Sequence, residues 1–186
     1  MGRHKAFEPE VVKQQLLLAF WELGYEACTY AALEKRTGVT GKSLVNTFGD
    51  KNSLFELALK DYLALVDTVL AERFTAANKH SIVQFFTDLA NSKPTSPRNF
   101  GCFICNALFE AHAPQNLVEQ AHSAFTEKLI NAFQRALAAD DIVNAPEVAQ
   151  IFVSLFWGIM TEVRQAKSTQ VVQPKLASIE LLLQKL

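Results

Sequence analysis

Several side chains near residue 45 have the chemistry needed to bind a nucleic acid. Lys42 can pair with a phosphate or a guanine edge, and the amide of Asn46 is suited to read adenine. Leu44 and Phe48 fall on the opposite side of the same helical repeat. The spacing therefore predicts a short helix with one buried face and one polar face that is free to contact DNA.

A second group of chemically distinctive residues is the pair Cys102 and Cys105, which follows Gly101. A cysteine at the start of a helix can have a lowered pKa, which would make Cys102 reactive toward electrophiles or oxidants. The Cys-x-x-Cys spacing alone is weak evidence for zinc, because no second pair or histidine completes a ligand set. A buried, unreactive cysteine is the alternative interpretation.

Other catalytic and metal-binding patterns are not visible in the sequence. The four histidines are scattered, and no Ser-His-Asp arrangement or phosphate-binding glycine loop is present. We therefore predict neither a metal site nor a cofactor, and we do not expect an enzyme.

Three helices are expected to position the DNA-facing residues. Glu8–Leu23 has apolar residues at helical spacing, and Gly24 is a natural stop. Thr29 is placed to cap a second helix, Gly38 closes it, and Thr40 is placed to cap a third. This order is the layout of a helix-turn-helix, in which the last helix enters the major groove.

The rest of the chain also has helical patterning and no alternation typical of strands. Prolines near residues 94–97 mark a loop over Ser92–Phe100. The predicted helices are Asn52–Phe74, Ser81–Asn91, Gly101–His112, Gln115–Ala138, Pro146–Lys167 and Lys175–Lys185. We predict an all-α fold with a three-helix helix-turn-helix domain over residues 1–50. A helical regulatory and dimerisation domain is expected over residues 51–186.

Composition narrows the class of protein further. The chain has 186 residues, a net charge of −1 and 49% hydrophobic residues. No apolar run approaches the roughly 18 residues of a membrane span. The three cysteines suit reduced thiols rather than a disulfide framework. We expect a cytoplasmic protein that does not act at a membrane.

The N-terminal third resembles the TetR family of transcriptional regulators over about 55 residues. The matching residues are Gly2, Arg3, Phe7, Gly24–Ala27, Leu33, Gly38, Val39, Ser43, Leu44, Phe48–Lys51, Leu54 and Phe55. The resemblance implies a homodimer whose two recognition helices bind a near-palindromic double-stranded operator. It also implies a repressor that an inducer releases from DNA.

The DNA-binding residues combine the side-chain chemistry with the resemblance. We predict them to be Arg3, Lys5, Thr29, Thr40, Gly41, Lys42, Ser43, Val45, Asn46, Thr47 and Lys51. Val45 and Thr47 stand where the family usually has aromatic or histidine side chains, so part of the usual contact set is absent. Thr29 and Thr40 would also be suitable helix caps without any DNA.

A small apolar inducer or thiol modification at Cys102 is expected to release the DNA. An apolar cavity among the aromatic middle helices is the expected binding site. The predicted ligand or sensor residues are Phe86, Cys102, Phe103, Cys105, Trp157 and Lys167. Lys167 resembles a lysine that is sometimes paired with the sensor cysteine in this family.

The last two predicted helices have wide apolar faces. One runs from Val148 to Met160 and the other from Leu176 to Leu186. In the TetR family the corresponding helices pair across a twofold axis, which would bury these faces in a dimer. Completion of the subunit's own core is the alternative.

Two other classes of protein remain open from the sequence. One is a redox thiol protein or dithiol enzyme that uses Cys102 and Cys105. The other is a helical interaction module whose helix-turn-helix contacts protein rather than DNA.

Overall fold

The computed structural model describes residues 7–186, and this part of the chain consists of helices and loops. The α-helices are α1 (Pro9–Ala27), α2 (Tyr30–Thr37), α3 (Gly41–Phe48), α4 (Lys51–Arg73), α5 (Lys79–Ala90), α6 (Phe103–Leu108), α7 (Gln115–Ala138), α8 (Ala145–Ala166) and α9 (Gln173–Lys185). Short 3-10 turns occupy Pro97–Phe100 and Thr169–Val172. The predicted all-α fold is confirmed. No helix within these residues combines the length and apolar composition needed to cross a bilayer.

The long helix α4 connects the two halves of the molecule. Its 23 residues span about 35 Å at 1.5 Å per residue. Its first half packs against α1 around Phe20 and Phe55, whose rings meet edge to face at 5.3 Å. Its second half packs against α7. The apolar core is continuous from Leu16 to Leu183, so the division at residue 50 stays a prediction.

The largest helices, α7 and α8, pack against each other and form the centre of the second half. Phe133 and Phe152 are fully buried between them, with ring centroids 6.4 Å apart. Helices α5 and α9 pack against each other beside this pair. The second half of the chain is therefore packed around α7 and α8.

Two predicted helix boundaries are wrong. The helix expected over Gly101–His112 is only α6: it begins at Phe103, because Gly101 has φ +79° and its backbone lies against α8, and it ends at Leu108. The stop expected at Gly24 is a kink with φ +83°, after which the helix resumes to Ala27. By contrast, α7 has the predicted bounds Gln115–Ala138.

The apolar faces of α8 and α9 serve the subunit's own core only in part. Phe152, Phe156, Ile159, Met160, Ile179 and Leu183 are buried within the single chain. Ile151 stays 58% exposed, and Leu182 stays 41% exposed. The inner half of each face thus completes the core, and an outer apolar stripe is left on the surface.

Candidate nucleic-acid interface and interior cavity

The turn between α2 and α3 is fixed by side-chain and backbone hydrogen bonds. The hydroxyl of Thr29 accepts a hydrogen bond from the Ala32 amide at 3.2 Å, and the hydroxyl of Thr40 accepts one from the Ser43 amide at 3.3 Å. Gly38 adopts the left-handed conformation with φ +69°. Both threonines are helix caps, as the sequence indicated.

Three buried side chains anchor this turn to the core. Leu33 and Leu44 are completely buried, and Val39 is 7% exposed. They fix the rotation of α3 about its own axis, because each must point inward. The opposite face of α3 therefore points to solvent.

The exposed face of α3 carries the predicted DNA-reading residues. Lys42, Val45 and Asn46 are exposed, and Thr47 is half-buried. Within residues 7–186, the side chains of Lys42 and Asn46 make no hydrogen bond to the protein. We call Thr40, Lys42, Ser43, Val45 and Asn46 the reading face. Among the described residues, Lys42 and Asn46 thus have donors and acceptors that the fold does not use, whereas the hydroxyls of Thr40 and Ser43 hydrogen-bond to each other.

Tyr30 and Glu34 border this face and were missed from the sequence. Tyr30 is 39% exposed, and its Cβ lies 3.2 Å from the position that a Cβ would occupy on Gly41. Glu34 accepts a hydrogen bond from the Gly41 amide at 3.2 Å. Gly41 thus allows a close contact between α2 and α3. An exposed aromatic directly after the Thr29 cap was the available signal for Tyr30.

Lys51 is less free than the residues of the reading face. Its ammonium lies 4.3 Å from the Tyr25 ring centroid and 3.4 Å from the Glu26 carbonyl oxygen. Asp50 caps α4, and its hydrogen bonds from Ser53 lower the pKa of its carboxyl group. Arg3 and Lys5 lie outside the described residues.

The end of α1 is tied to the loop that follows α6. The Glu110 carboxylate accepts a hydrogen bond from the Glu26 amide at 3.2 Å, and it fills the space where a Cβ of Gly24 would stand. His112 contacts the Glu26 carboxylate. Farther along, the Arg164 guanidinium donates to the Glu22 carbonyl at 3.2 Å. These contacts connect the helix-turn-helix to the regulatory half.

A cavity of about 420 Å³ lies in the second half of the molecule, with Trp21 of α1 in its wall. It is lined by Trp21, Tyr62, Leu65, Val66, Val69, Leu70, Phe85, Asp88, Leu89, Ser96, Pro97, Arg98, Gly101, Phe125, Phe156 and Met160. Its volume lies in the range of small-molecule sites, and its walls are mainly apolar and aromatic. Trp21 belongs to α1 and Tyr62 to α4, so an occupant would touch both helices that support the reading face.

None of the six predicted ligand or sensor residues lines this cavity. Phe86, Cys102 and Phe103 are fully buried behind its walls. Trp157 is half-buried beside Phe125, and Lys167 is exposed at the end of α8. Cys105 lines a separate cleft of about 400 Å³ together with Glu26, Phe109, Glu110 and Arg164.

The lowered pKa expected for Cys102 is wrong. The thiol is completely buried and accepts a hydrogen bond from the Tyr62 hydroxyl at 3.3 Å. Burial raises its pKa to about 12, because the thiolate would lose its hydration. The helix that Cys102 caps has only 6 residues, and Lys167 is not among the groups that shift this pKa. Cys102 is therefore a neutral core thiol in this conformation.

No cluster of His, Cys, Asp and Glu within residues 7–186 is arranged to hold a metal ion. Cys102 and Cys105 both contribute to α6 and its cap, and their thiols face different surroundings. The Cys105 thiol lies 4.0 Å from the Thr161 hydroxyl.

The chain is similar in sequence to two curated transcriptional regulators. The chain is 32% identical over 119 residues to the uncharacterised HTH-type transcriptional regulator YezE of Bacillus subtilis, with 62% of this chain and 61% of the relative aligned. It is 27% identical over 116 residues to the HTH-type transcriptional repressor ComR of Escherichia coli, with 56% of this chain and 51% of ComR aligned. It thus spans less than two thirds of either relative.

The structural likeness extends over the whole chain. A cysteine mutant of the TetR-family transcriptional regulator CifR, complexed with 26-bp operator DNA, superposes with a TM-score of 0.82. The identity is 23%, and 98% of each chain is covered. No family model matches the sequence. All three of these proteins are described as transcriptional regulators, in agreement with the prediction that the chain is not an enzyme.

Proposed function

Because the chain has the fold of TetR-family transcriptional regulators, as its sequence predicted, we propose that it is a sequence-specific DNA-binding regulator of transcription. The observation that carries this proposal is the reading face. Lys42 and Asn46 are exposed on a short helix whose rotation is fixed by buried Leu44, and neither side chain has a hydrogen-bond partner within residues 7–186. A helix with this exposed face is suited to lie in the major groove.

We propose further that the protein acts as a homodimeric repressor on a near-palindromic operator in the cytoplasm. Two reading faces bind together only when their separation matches the spacing of successive major grooves. The solved CifR complex with operator DNA and the description of ComR as a repressor support this reading. The outer stripes of α8 and α9 offer an apolar surface for the second subunit.

Release by a small molecule is the regulatory route that the geometry favours. An occupant of the 420 Å³ cavity would contact Trp21 and Tyr62, and these belong to the two long helices that carry the helix-turn-helix. The occupant must bind the DNA-free state more tightly than the DNA-bound state, because a ligand with equal affinity for both states does not shift the equilibrium between them. Thiol modification at Cys102 is the less favoured route, since the thiol is buried and neutral.

Fluorescence anisotropy with the DNA upstream of the protein's own gene tests the proposal. The wild-type protein should bind this duplex more tightly than a scrambled one, and the affinity should fall steeply as salt is raised. Asn46→Ala should weaken specific binding about 10- to 100-fold, which corresponds to about 1–3 kcal/mol for one base contact. Lys42→Ala should weaken binding and reduce the salt dependence.

Lys93→Ala is the matched control, because Lys93 is an exposed lysine in the loop after α5. It should bind DNA like the wild type. Unchanged DNA binding in Lys42→Ala and Asn46→Ala, or no preference over the scrambled duplex, would favour a protein-binding module instead.

A further inference from the structure

We propose that the 420 Å³ cavity binds an apolar molecule that carries one carboxylate, and that Arg98 pairs with this carboxylate. The inference deepens the proposed function, because it names the chemical class of the small molecule and the residue that selects it. It is argued from the charges around the cavity, from the way Arg98 is held, and from the shape of the apolar walls.

Two charged side chains line the cavity, and only one of them is already compensated. Asp88 forms an ion pair with Arg73, which also donates to the Gln84 side chain at 2.8 Å. Arg98 has no carboxylate within 4.0 Å among the described residues, and its guanidinium makes no hydrogen bond there. With Asp88 neutralised by Arg73, the guanidinium of Arg98 is the lining charge without a partner among the described residues, and it is available to pair with an anionic ligand.

The segment that carries Arg98 is rigidly placed. The side-chain amide nitrogen of Asn99, the next residue, donates to the carbonyl oxygens of Lys93, Pro94 and Ser96 at 2.9, 3.1 and 3.0 Å. Its side-chain oxygen accepts from the Thr169 amide at 2.9 Å. Asn99 is 7% exposed, so these bonds form in a protected environment. Because the backbone of Arg98 is held in advance, the ordering required when the ligand binds is confined to the Arg98 side chain.

The remaining walls specify the rest of the ligand. Trp21 and Tyr62 meet edge to face at 4.9 Å, and Phe125 and Phe156 do so at 5.7 Å. Such walls favour an aromatic or acyl body and disfavour a polar one. A guanidinium beside apolar walls forms strong, two-pronged hydrogen bonds with a carboxylate. A neutral molecule of the same shape would leave the Arg98 charge unpaired.

Isothermal titration calorimetry without DNA tests the assignment. Two acids, naphthoate and octanoate, are compared with the neutral alcohols of matched shape, naphthylmethanol and octanol. At least one acid should bind about 10-fold or more tightly than its alcohol, the difference expected for a charge-assisted pair. Arg98→Met keeps the apolar stem and should remove this preference while leaving the affinity for the alcohol unchanged.

Arg135→Met is the matched control, because Arg135 is exposed on α7 and does not line the cavity. It should keep the preference for the acid. Equal binding of acid and alcohol by the wild type, binding of neither, or an intact preference in Arg98→Met would overturn the inference. Unchanged circular dichroism melting of Arg98→Met would show that a lost preference is not caused by misfolding.

A separate anisotropy measurement with the duplex distinguishes this inference from the proposed function. Acid binding that leaves DNA binding unchanged would support the ligand assignment and contradict the proposed release mechanism. DNA binding without an acid preference in calorimetry would contradict the ligand assignment alone.

Discussion

At the scale of single residues, burial decides which side chains can act. Cys102 and Lys42 both have reactive or charged groups, yet one is fully buried and the other is exposed. The thiol of Cys28 is likewise buried, and burial raises its pKa to about 12. The side chains that can contact a partner thus lie on the reading face and in the cavity wall, whereas the buried cysteine thiols are shielded.

We expect the Cys102 thiol to resist alkylation in the folded protein. With a pKa of about 12, its thiolate fraction at pH 7.5 is about a thousandfold lower than that of a thiol with the ordinary pKa of 9.0. Its full burial should slow the reaction further. Peptide mass spectrometry after iodoacetamide treatment should find Cys102 unmodified while the unfolded protein is modified at all three cysteines. Rapid modification of native Cys102 would instead favour the thiol-sensing route.

At the scale of elements, the helices follow from local patterning, but their ends depend on distant contacts. The bounds of α7 agree with its apolar spacing, whereas α6 begins only at Phe103 because Gly101 is packed against the Met160 carbonyl on α8. No local pattern contains that contact. The reading face, by contrast, was predictable because it depends on local features alone. Helix caps and helical spacing within residues 29–48 are sufficient to define it.

The cavity lining was not predictable from the sequence at the level of individual residues. Phe85 lines the cavity and Phe86 does not, although both are aromatic neighbours on α5. Neighbouring residues on a helix point in different directions. Only the packing of α5 against α4 and α7 determines which of the two rings faces the cavity. Arg98 was missed because a lone charge in a proline-rich loop resembles a solvated surface residue.

We expect Gly24→Ala to destabilise the fold more than Gly38→Ala does. Both glycines have positive φ, but a Cβ on Gly24 would stand 2.6 Å from the Glu110 carboxylate, while a Cβ on Gly38 meets nothing within 4 Å. Gly38→Ala should cost about 1 kcal/mol for the left-handed conformation. Gly24→Ala should cost about 2–4 kcal/mol, because its backbone region is open almost only to glycine and the carboxylate must also move.

Chemical denaturation of the two variants measures this difference. Adding Glu110→Ala to Gly24→Ala should recover part of the loss, since the collision disappears while the backbone strain stays. Equal free energies of unfolding for Gly24→Ala and Gly38→Ala would contradict a close contact between Glu110 and the kink of α1.

At the scale of the whole molecule, α1 and α4 couple the reading face to the cavity. The Trp21 indole donates a hydrogen bond to the Gly101 carbonyl at 2.8 Å, and Tyr62 donates to the Cys102 thiol. Both side chains also line the cavity. A molecule that displaces either ring therefore disturbs the contacts that hold the helix-turn-helix against α6. Such a disturbance would move the helix-turn-helix within its own subunit. It changes the distance between two reading faces only if a second subunit is held at a fixed position.

That second subunit is expected to pack on the outer stripe of α8 and α9. Ile151 is 58% exposed, and Leu181, Leu182 and Leu186 are 56%, 41% and 43% exposed, so these two helices present apolar side chains that a second subunit could bury. Gly158, on the same side of α8 one turn after Leu155, has open space where a Cβ would stand, which allows a close helix approach. We expect Ile151→Glu to shift the protein from dimer to monomer in sedimentation velocity. It should also weaken operator binding, because a monomer engages one half-site.

Val11→Glu is the control, since Val11 is an apolar residue of similar exposure (52%) on α1, outside the proposed interface. It should leave the dimer intact. If Ile151→Glu stays dimeric and binds the operator normally, the twofold contact must lie elsewhere. The cavity would then have to act through the orientation of α1 within each subunit rather than through the spacing of two.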